Sequence, residues 1–246
     1  MIEAQGLRKT FNKGRVVAVD DVSFTARDGQ ITGLLGPNGA GKTTTLRMLY
    51  TLLQPDAGSM RVDGIDPQSD PLHIKRALGV VPDSRGLYDR LTARENIRYY
   101  GDLQGLSRDT INQRIDRLAE VLDMGEFIDR RTDGFSQGQR VKVAIARALI
   151  HEPRTILLDE PSNGLDVMTT RSLRGFLQRL RAEGRCVVLS THIMQEVAAL
   201  CDHIVIIADG RVAAEGSKEQ LLERSGEQNL EDAFVRLIGT DEGLLA

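Results

Sequence analysis

Residues 36–43 read Gly36-Pro37-Asn38-Gly39-Ala40-Gly41-Lys42-Thr43, and at every fixed position they match a glycine-rich loop that wraps a polyphosphate. Glycines here let backbone N–H groups turn inward with no Cβ in the way. A helix opening at Lys42 adds the positive end of its dipole. Lys42 is spaced to reach the β- and γ-phosphates, and Thr43 to offer a hydroxyl to Mg²⁺. Pro37, Asn38, Ala40 and Thr44 complete the expected nucleotide-binding segment. The alternative, a chance glycine-rich turn, does not account for the Lys-Thr pair between a strand-like lead-in and a helical exit. Such a loop specifies a nucleoside triphosphate and no more.

Thr155-Ile156-Leu157-Leu158-Asp159-Glu160 is an apolar run that ends in two acids. Side chains alternate along a strand, so the two carboxylates need not compete for one position. Beside a triphosphate, Asp159 is the candidate to hold Mg²⁺ through its water shell. Glu160 is the candidate to align a water and take its proton. Ordinary helix-capping or solvated charge is the alternative.

These residues need a scaffold of strands and helices. Apolar, branched runs predict strands at 2–7, 16–26 and 30–35, the last stopping at the glycine-rich loop. Leu46, Leu49 and Leu53 have helical spacing over 42–53. A short strand at 78–81 ends at Pro82, and helices follow at 92–103, 107–122 and 136–150. The first opens on a capping-box pattern, Thr92-Ala93-Arg94-Glu95, and Ser136 suits an N-cap of the last. Strands at 155–158 and 185–190 flank a helix at 167–183. Runs at 203–208 and 211–214 form a hairpin through Asp209-Gly210, and Ser217 caps a final helical region. This order predicts an α/β nucleotide-binding core (1–81 and 152–216) interrupted by a helical insertion (82–151), then a helical extension (217–239) and a tail (240–246).

Phe135-Ser136-Gln137-Gly138-Gln139 opens a helix shortly before the acidic strand. Here the sequence resembles the ATP-binding subunits of ABC transporters, whose signature motif, usually Leu-Ser-Gly-Gly-Gln, stands at this place. Ser136, Gly138 and Gln139 match; Phe135 and Gln137 depart, with Gln137 replacing a glycine. Taken alone, the pentapeptide is also readable as a plain N-cap. The resemblance implies the ABC ATPase fold: a P-loop core with an antiparallel β subdomain and an inserted α-helical subdomain. It implies ATP and Mg²⁺, and a head-to-tail pair, a homodimer or a pairing with a related ATPase subunit. Each ATP would then lie between one chain's residues 36–43 and the other's Ser136 helix start.

Further segments follow the family's order. Ser162-Asn163-Gly164-Leu165-Asp166 resembles the D-loop, which crosses the dimer seam; Asp166 equally suits a helix N-cap. Leu189-Ser190-Thr191-His192 resembles the switch-histidine segment, implying that His192 contacts the γ-phosphate and steadies the water–Glu160 pair. A structural histidine is the alternative. Phe11 stands where the family keeps an aromatic to stack on adenine, a contact worth about 1 kcal/mol; otherwise it is a core phenylalanine. The family's glutamine, which binds Mg²⁺ and senses the membrane partner, is replaced by Asp83 in Val80-Val81-Pro82-Asp83-Ser84. Asp83 is either a metal-side ligand or, in another loop register, solvated. Residues 86–96 resemble those of the sodium-export, NatA-type branch, which implies export, with sodium as one cargo. Multidrug or antibiotic export by the same subunit type is the alternative, and a non-transport ABC ATPase a more distant one.

Composition narrows the rest. The chain has 246 residues, 27% charged and 41% hydrophobic, ordinary for a globular protein. A net charge of −3 supplies no basic field for nucleic acid. No apolar run approaches the roughly 20 residues that span a bilayer; the resemblance then implies a separate membrane permease, with this chain peripheral on the cytoplasmic face. Leu87, Tyr88 and Leu91 are candidate contacts for a permease helix, or plain core residues. Cys186 and Cys201 are expected as buried free thiols of a reducing compartment, not as a disulfide or metal pair.

Overall fold

The computed structural model describes residues 1–84 and 86–239, so the tail expected at 240–246 lies outside the described residues. Two sheets form the frame. The smaller is antiparallel, in the order β2 (Val16–Ala26), β1 (Ile2–Phe11), β4 (Ala57–Val62). The larger has the order β5 (Leu78–Val81), β6 (Thr155–Asp159), β7 (Cys186–Thr191), β3 (Ile31–Leu35), β8 (His203–Ala208), β9 (Arg211–Gly216). Every neighbouring pair in it is parallel except β8–β9, the expected hairpin. Asp209 and Gly210 both take positive φ, 48° and 75°, as a two-residue turn matched to strand twist requires.

The parallel strands β3, β6 and β7 are buried at every residue, because helices and the smaller sheet cover both faces. Alternation then sorts their side chains into two cores. Ile156 and Leu158 of β6, with Val187 and Leu189 of β7, face the helices α3 (Ala93–Leu103), α4 (Arg108–Val121), α5 (Gln137–Leu149) and α6 (Val167–Ala182). Leu157 and Val188 face the opposite way, toward α1 (Lys42–Leu49) and the small sheet. Each such side chain contributes about 1.5–3 kcal/mol by leaving water. A third cluster joins β8 and β9 to α7 (Met194–Leu200), α8 (Lys218–Ser225) and α9 (Leu230–Ile238).

Helix starts follow local chemistry. Thr92 with Glu95, Ser136 with Gln139 and Ser217 with Gln220 each form a full capping box, satisfying two otherwise orphaned N–H groups. Some expectations need correction. The helix expected over 42–53 stops at Leu49, and Thr51 turns to φ 63°. The strand expected at 2–7 runs on to Phe11 through register shifts. β4 and the short α2 (Pro71–Ala77) were not expected at all. Cys186 is buried and Cys201 partly so, both as free thiols. Burial pushes the Cys186 thiol up to about 11, and the Cys201 thiol upward as well.

Candidate active site

Parallel pairing gathers the candidate residues at one sheet edge. The register sets Asp159 against Ser190, Leu35 against Thr191 and Val81 against Leu158. Four strands therefore deliver their C-terminal ends together: Asp83 after β5, Glu160 after β6, His192 after β7 and the glycine-rich loop after β3. Ligands of open α/β sheets bind at this edge.

The loop is built around backbone rather than side chains. A Cβ on Gly36 would lie 2.1 Å from the Ile207 carbonyl oxygen, and one on Gly41 2.5 Å from that of Ala18. Gly39 and Gly41 take φ of +83° and +104°, which glycine adopts without strain. Lys42 is 5% exposed. Its ammonium donates to the carbonyls of Gly36 at 2.8 Å and Pro37 at 3.0 Å, and lies 3.5 Å from Glu160 Oε1. No side chain caps α1, whose N-cap is Gly41. An uncapped helix start beneath an inward-turned loop suits an anionic phosphate.

Asp159 shares the parity of Leu157 and so points toward α1. There Thr43 Oγ1 donates to Asp159 Oδ1 at 2.9 Å, and Ser190 Oγ donates to the same oxygen at 2.6 Å. Ser190 Oγ also accepts the backbone N–H of Glu160 at 3.1 Å. One hydroxyl thus fixes both acids. Glu160 leaves the strand with φ 47°, an unusual conformation for a non-glycine residue, which turns its side chain from the sheet. His192 Nδ1 lies 2.9 Å from Glu160 Oε2. A hydroxyl and carboxylate oxygens are the hard donors that suit Mg²⁺, an ion held by few protein ligands together with substrate phosphates.

A cleft of about 400 Å³ is lined by Gly39, Lys42, Thr43, Asp83, Glu160 and His192, with Asn38, Ala40, Gly41, Thr44, Ala18 and Asn163. Asp83, exposed in the loop after β5, lines this cleft. The other candidates lie outside its lining. Phe11 closes β1 opposite Val16, with the Lys9 ammonium 5.9 Å from its ring centre. Ser136 and Gln139 are joined in their own capping box. Gly138 packs where a Cβ would meet Thr169 at 3.0 Å, so the starts of α5 and α6 touch. Asp166 caps α6, accepting from Thr169 N and Oγ1 at 2.9 and 2.7 Å; these bonds hold its carboxyl below the usual range. Sequence reasoning had not assigned Ser190 a role. The sequence showed only a serine at a strand end; that this strand pairs with the acidic one emerges from the fold.

Among the described residues no helix is long and apolar enough to cross a membrane. The family model for the ABC transporter matches residues 19–163. The ABC transporter ATP-binding protein NatA of Bacillus subtilis (strain 168) is 46% identical over 230 residues, covering 93% of this chain and 94% of that protein. The doxorubicin resistance ATP-binding protein DrrA of Mycobacterium tuberculosis (strain CDC 1551 / Oshkosh) is 36% identical over 240 residues, covering 98% and 71%. A dimeric post-hydrolysis structure of the ATP-binding cassette MJ0796, bound to ADP and Pi, superposes with a TM-score of 0.81 at 27% identity, covering 88% of this chain and 98% of that one. With the cleft, the α/β frame and these likenesses together, the chain belongs to the ABC transporter family, as an ATP-binding subunit.

Proposed function

We propose that this chain is a Mg²⁺-dependent ATPase that works as a pair on the cytoplasmic face of a membrane and drives a separate permease in export. The observation that carries this reading is the convergence of Lys42, Thr43 and the Glu160–His192 pair on one cleft, with Asp159 and Ser190 hydrogen-bonded in a chain to Thr43 behind it. The reaction is the hydrolysis of ATP to ADP and phosphate. Residues 36–44 cradle the phosphates with backbone N–H groups, and Lys42 neutralises their charge. Thr43 and Asp159, with Asp83, would hold Mg²⁺, which would supply neutralisation of the phosphate oxygens. Glu160 takes the proton of the attacking water at its carboxylate as the bond from the γ-phosphorus to ADP breaks. His192 holds Glu160 Oε2, which orients the carboxylate. Phe11 stacks on the adenine.

The second copy, or a related ATPase subunit, presents its Ser136, Gly138, Gln139 and Asp166 to the nucleotide. The dimeric state of the MJ0796 cassette supports this pairing. On this reading the chain comprises a core at 1–81 and 152–216, a helical insertion at 82–151 and an extension at 217–239. Between core and insertion lies an apolar groove of about 520 Å³, whose lining includes Leu52, Leu72, Tyr100 and Leu103. The three leucines are 61%, 69% and 62% exposed, so the groove suits an apolar helix of the permease. Tyr88 is also exposed, whereas Leu87 packs against the helical core.

Sodium as cargo is supported by the resemblance of residues 86–96 to the sodium-export branch and by the identity to NatA. A second reading, export of a drug, is favoured by the identity to the doxorubicin resistance subunit. Glu160→Gln tests the core of the proposal. Turnover should fall by about 10²–10⁴-fold, and light scattering should show an ATP-stable dimer. Retained turnover, or a monomer at saturating ATP, overturns it.

A further inference from the structure

One buried carboxylate lies outside the cleft and has no part in the chemistry above. Glu196, in the first turn of α7, is 7% exposed. Its Oε2 accepts from Ser162 Oγ at 2.5 Å and from Thr191 Oγ1 at 3.3 Å. Both partners are themselves buried. Thr191 Oγ1 also accepts the Ile193 N–H at 3.0 Å, and the Glu196 N–H donates to the Ile193 carbonyl at 3.2 Å. Thr191 and Ile193 flank His192, while Ser162 follows Glu160 by two residues.

A buried carboxylate is costly unless its oxygens are hydrogen-bonded, and a charge-assisted O–H···O⁻ bond is short and strong. Glu196 meets that condition through hydroxyls drawn from two separate strand ends. Those same strand ends carry the two members of the Glu160–His192 pair, which meet at 2.9 Å. Glu160 leaves its strand in a left-handed conformation, and Ser162, two residues on, is tied to Glu196.

We propose that Glu196 is a positioning residue for hydrolysis, a buried clasp that fixes the segment after Glu160 to the residues flanking His192 and so sets the alignment of that pair. The inference rests on the ATPase reading given above. Glu196 touches no reacting atom; it acts through Ser162 and Thr191. A misplacement of about 1 Å at a reacting group lowers rate by about 100-fold while leaving binding elsewhere intact. The clasp should therefore appear in kcat and not in nucleotide affinity.

The test measures ATPase kinetics, nucleotide Kd and Tm on the full chain for Glu196→Ala, Glu196→Gln, Ser162→Ala and the double variant Glu196→Ala/Ser162→Ala, with Glu160→Gln as control. Glu196→Ala should lower kcat by about 10- to 100-fold, with KM and Kd within about threefold. Glu196→Gln keeps an acceptor oxygen for Ser162 and should restore most of the turnover. Ser162→Ala should reproduce the loss, and the double variant should lose little more, since both remove one interaction. A Glu196→Ala enzyme that keeps its kcat overturns the clasp, as does a loss that Ser162→Ala does not share. If Glu196→Ala does not fold, Ser162→Ala and Glu196→Gln decide alone. A wild-type chain without ATPase activity, or an active Glu160→Gln, would overturn the ATPase reading instead.

Discussion

Asp159 Oδ1 takes two hydroxyls, Thr43 from the helix below and Ser190 from the adjacent strand, so its position is set before any ligand arrives. Asp83, in the loop after β5, lines the same cleft, and the sequence resemblance puts it at the place of the family's glutamine. A carboxylate binds Mg²⁺ more strongly than an amide does, at the cost of repulsion from the γ-phosphate. Asp83→Asn is therefore expected to raise the Mg²⁺ concentration for half-maximal ATPase by about 10-fold. Titration at limiting Mg²⁺ checks this, and an unchanged midpoint removes Asp83 from the metal side. The loop at 36–43 was readable because its residues are contiguous. Ser190 was not, because its meaning depends on a parallel neighbour whose acid lies 31 positions away.

At the scale of elements, continuous apolar strands and capped helices could be read, while pieces that bury little could not. β4 reads Ala-Gly-Ser-Met-Arg-Val and buries Met60 and Val62 alone, and α2 buries Ile74 alone. Their order comes from neighbours. Asp56, just ahead of β4, accepts from Lys9 Nζ, Thr10 N and Thr10 Oγ1 at 2.7, 2.7 and 2.8 Å and so ties β4 to the end of β1. The Lys9 ammonium, then the Thr10 bonds, draw its carboxyl from the ordinary 3.8 down to about 2. A carboxylate with a depressed folded-state pKa stabilises above its unfolded value and loses that contribution as pH falls through the folded one. The Asp56 contribution is thus full above about pH 4 and fades toward about pH 2. Asp56→Asn should flatten the stability curve in that window, read from denaturant midpoints at successive pH values; a curve that superposes on wild type refutes the tie.

The whole molecule joins two cores across one sheet, and the apolar groove lies between helices and core. No single stretch of sequence announces the groove, because Leu52, Leu72 and Leu103 come from three separate parts of the chain. The contacts expected from sequence, Leu87, Tyr88 and Leu91, lie within one segment, where Tyr88 is exposed. Leu103→Asp should leave ATPase activity of the isolated chain intact and abolish its stimulation by the permease in proteoliposomes. Stimulation that survives this charge would move the docking site elsewhere. The overall class was legible because loop, acids and histidine sit at ends of strands whose order parallel pairing dictates.

The backbone of Glu160 carries a cost of its own. A left-handed conformation at a side-chain-bearing residue opposes folding by about 1–2 kcal/mol, a penalty glycine would not incur. Selection for durability alone would favour glycine at 160, and selection for turnover keeps the acid. Under the proposed chemistry, relieving the strain at Glu160 would trade turnover for durability, whereas the same relief at Thr51 or Glu152, which are also left-handed, would carry no such trade.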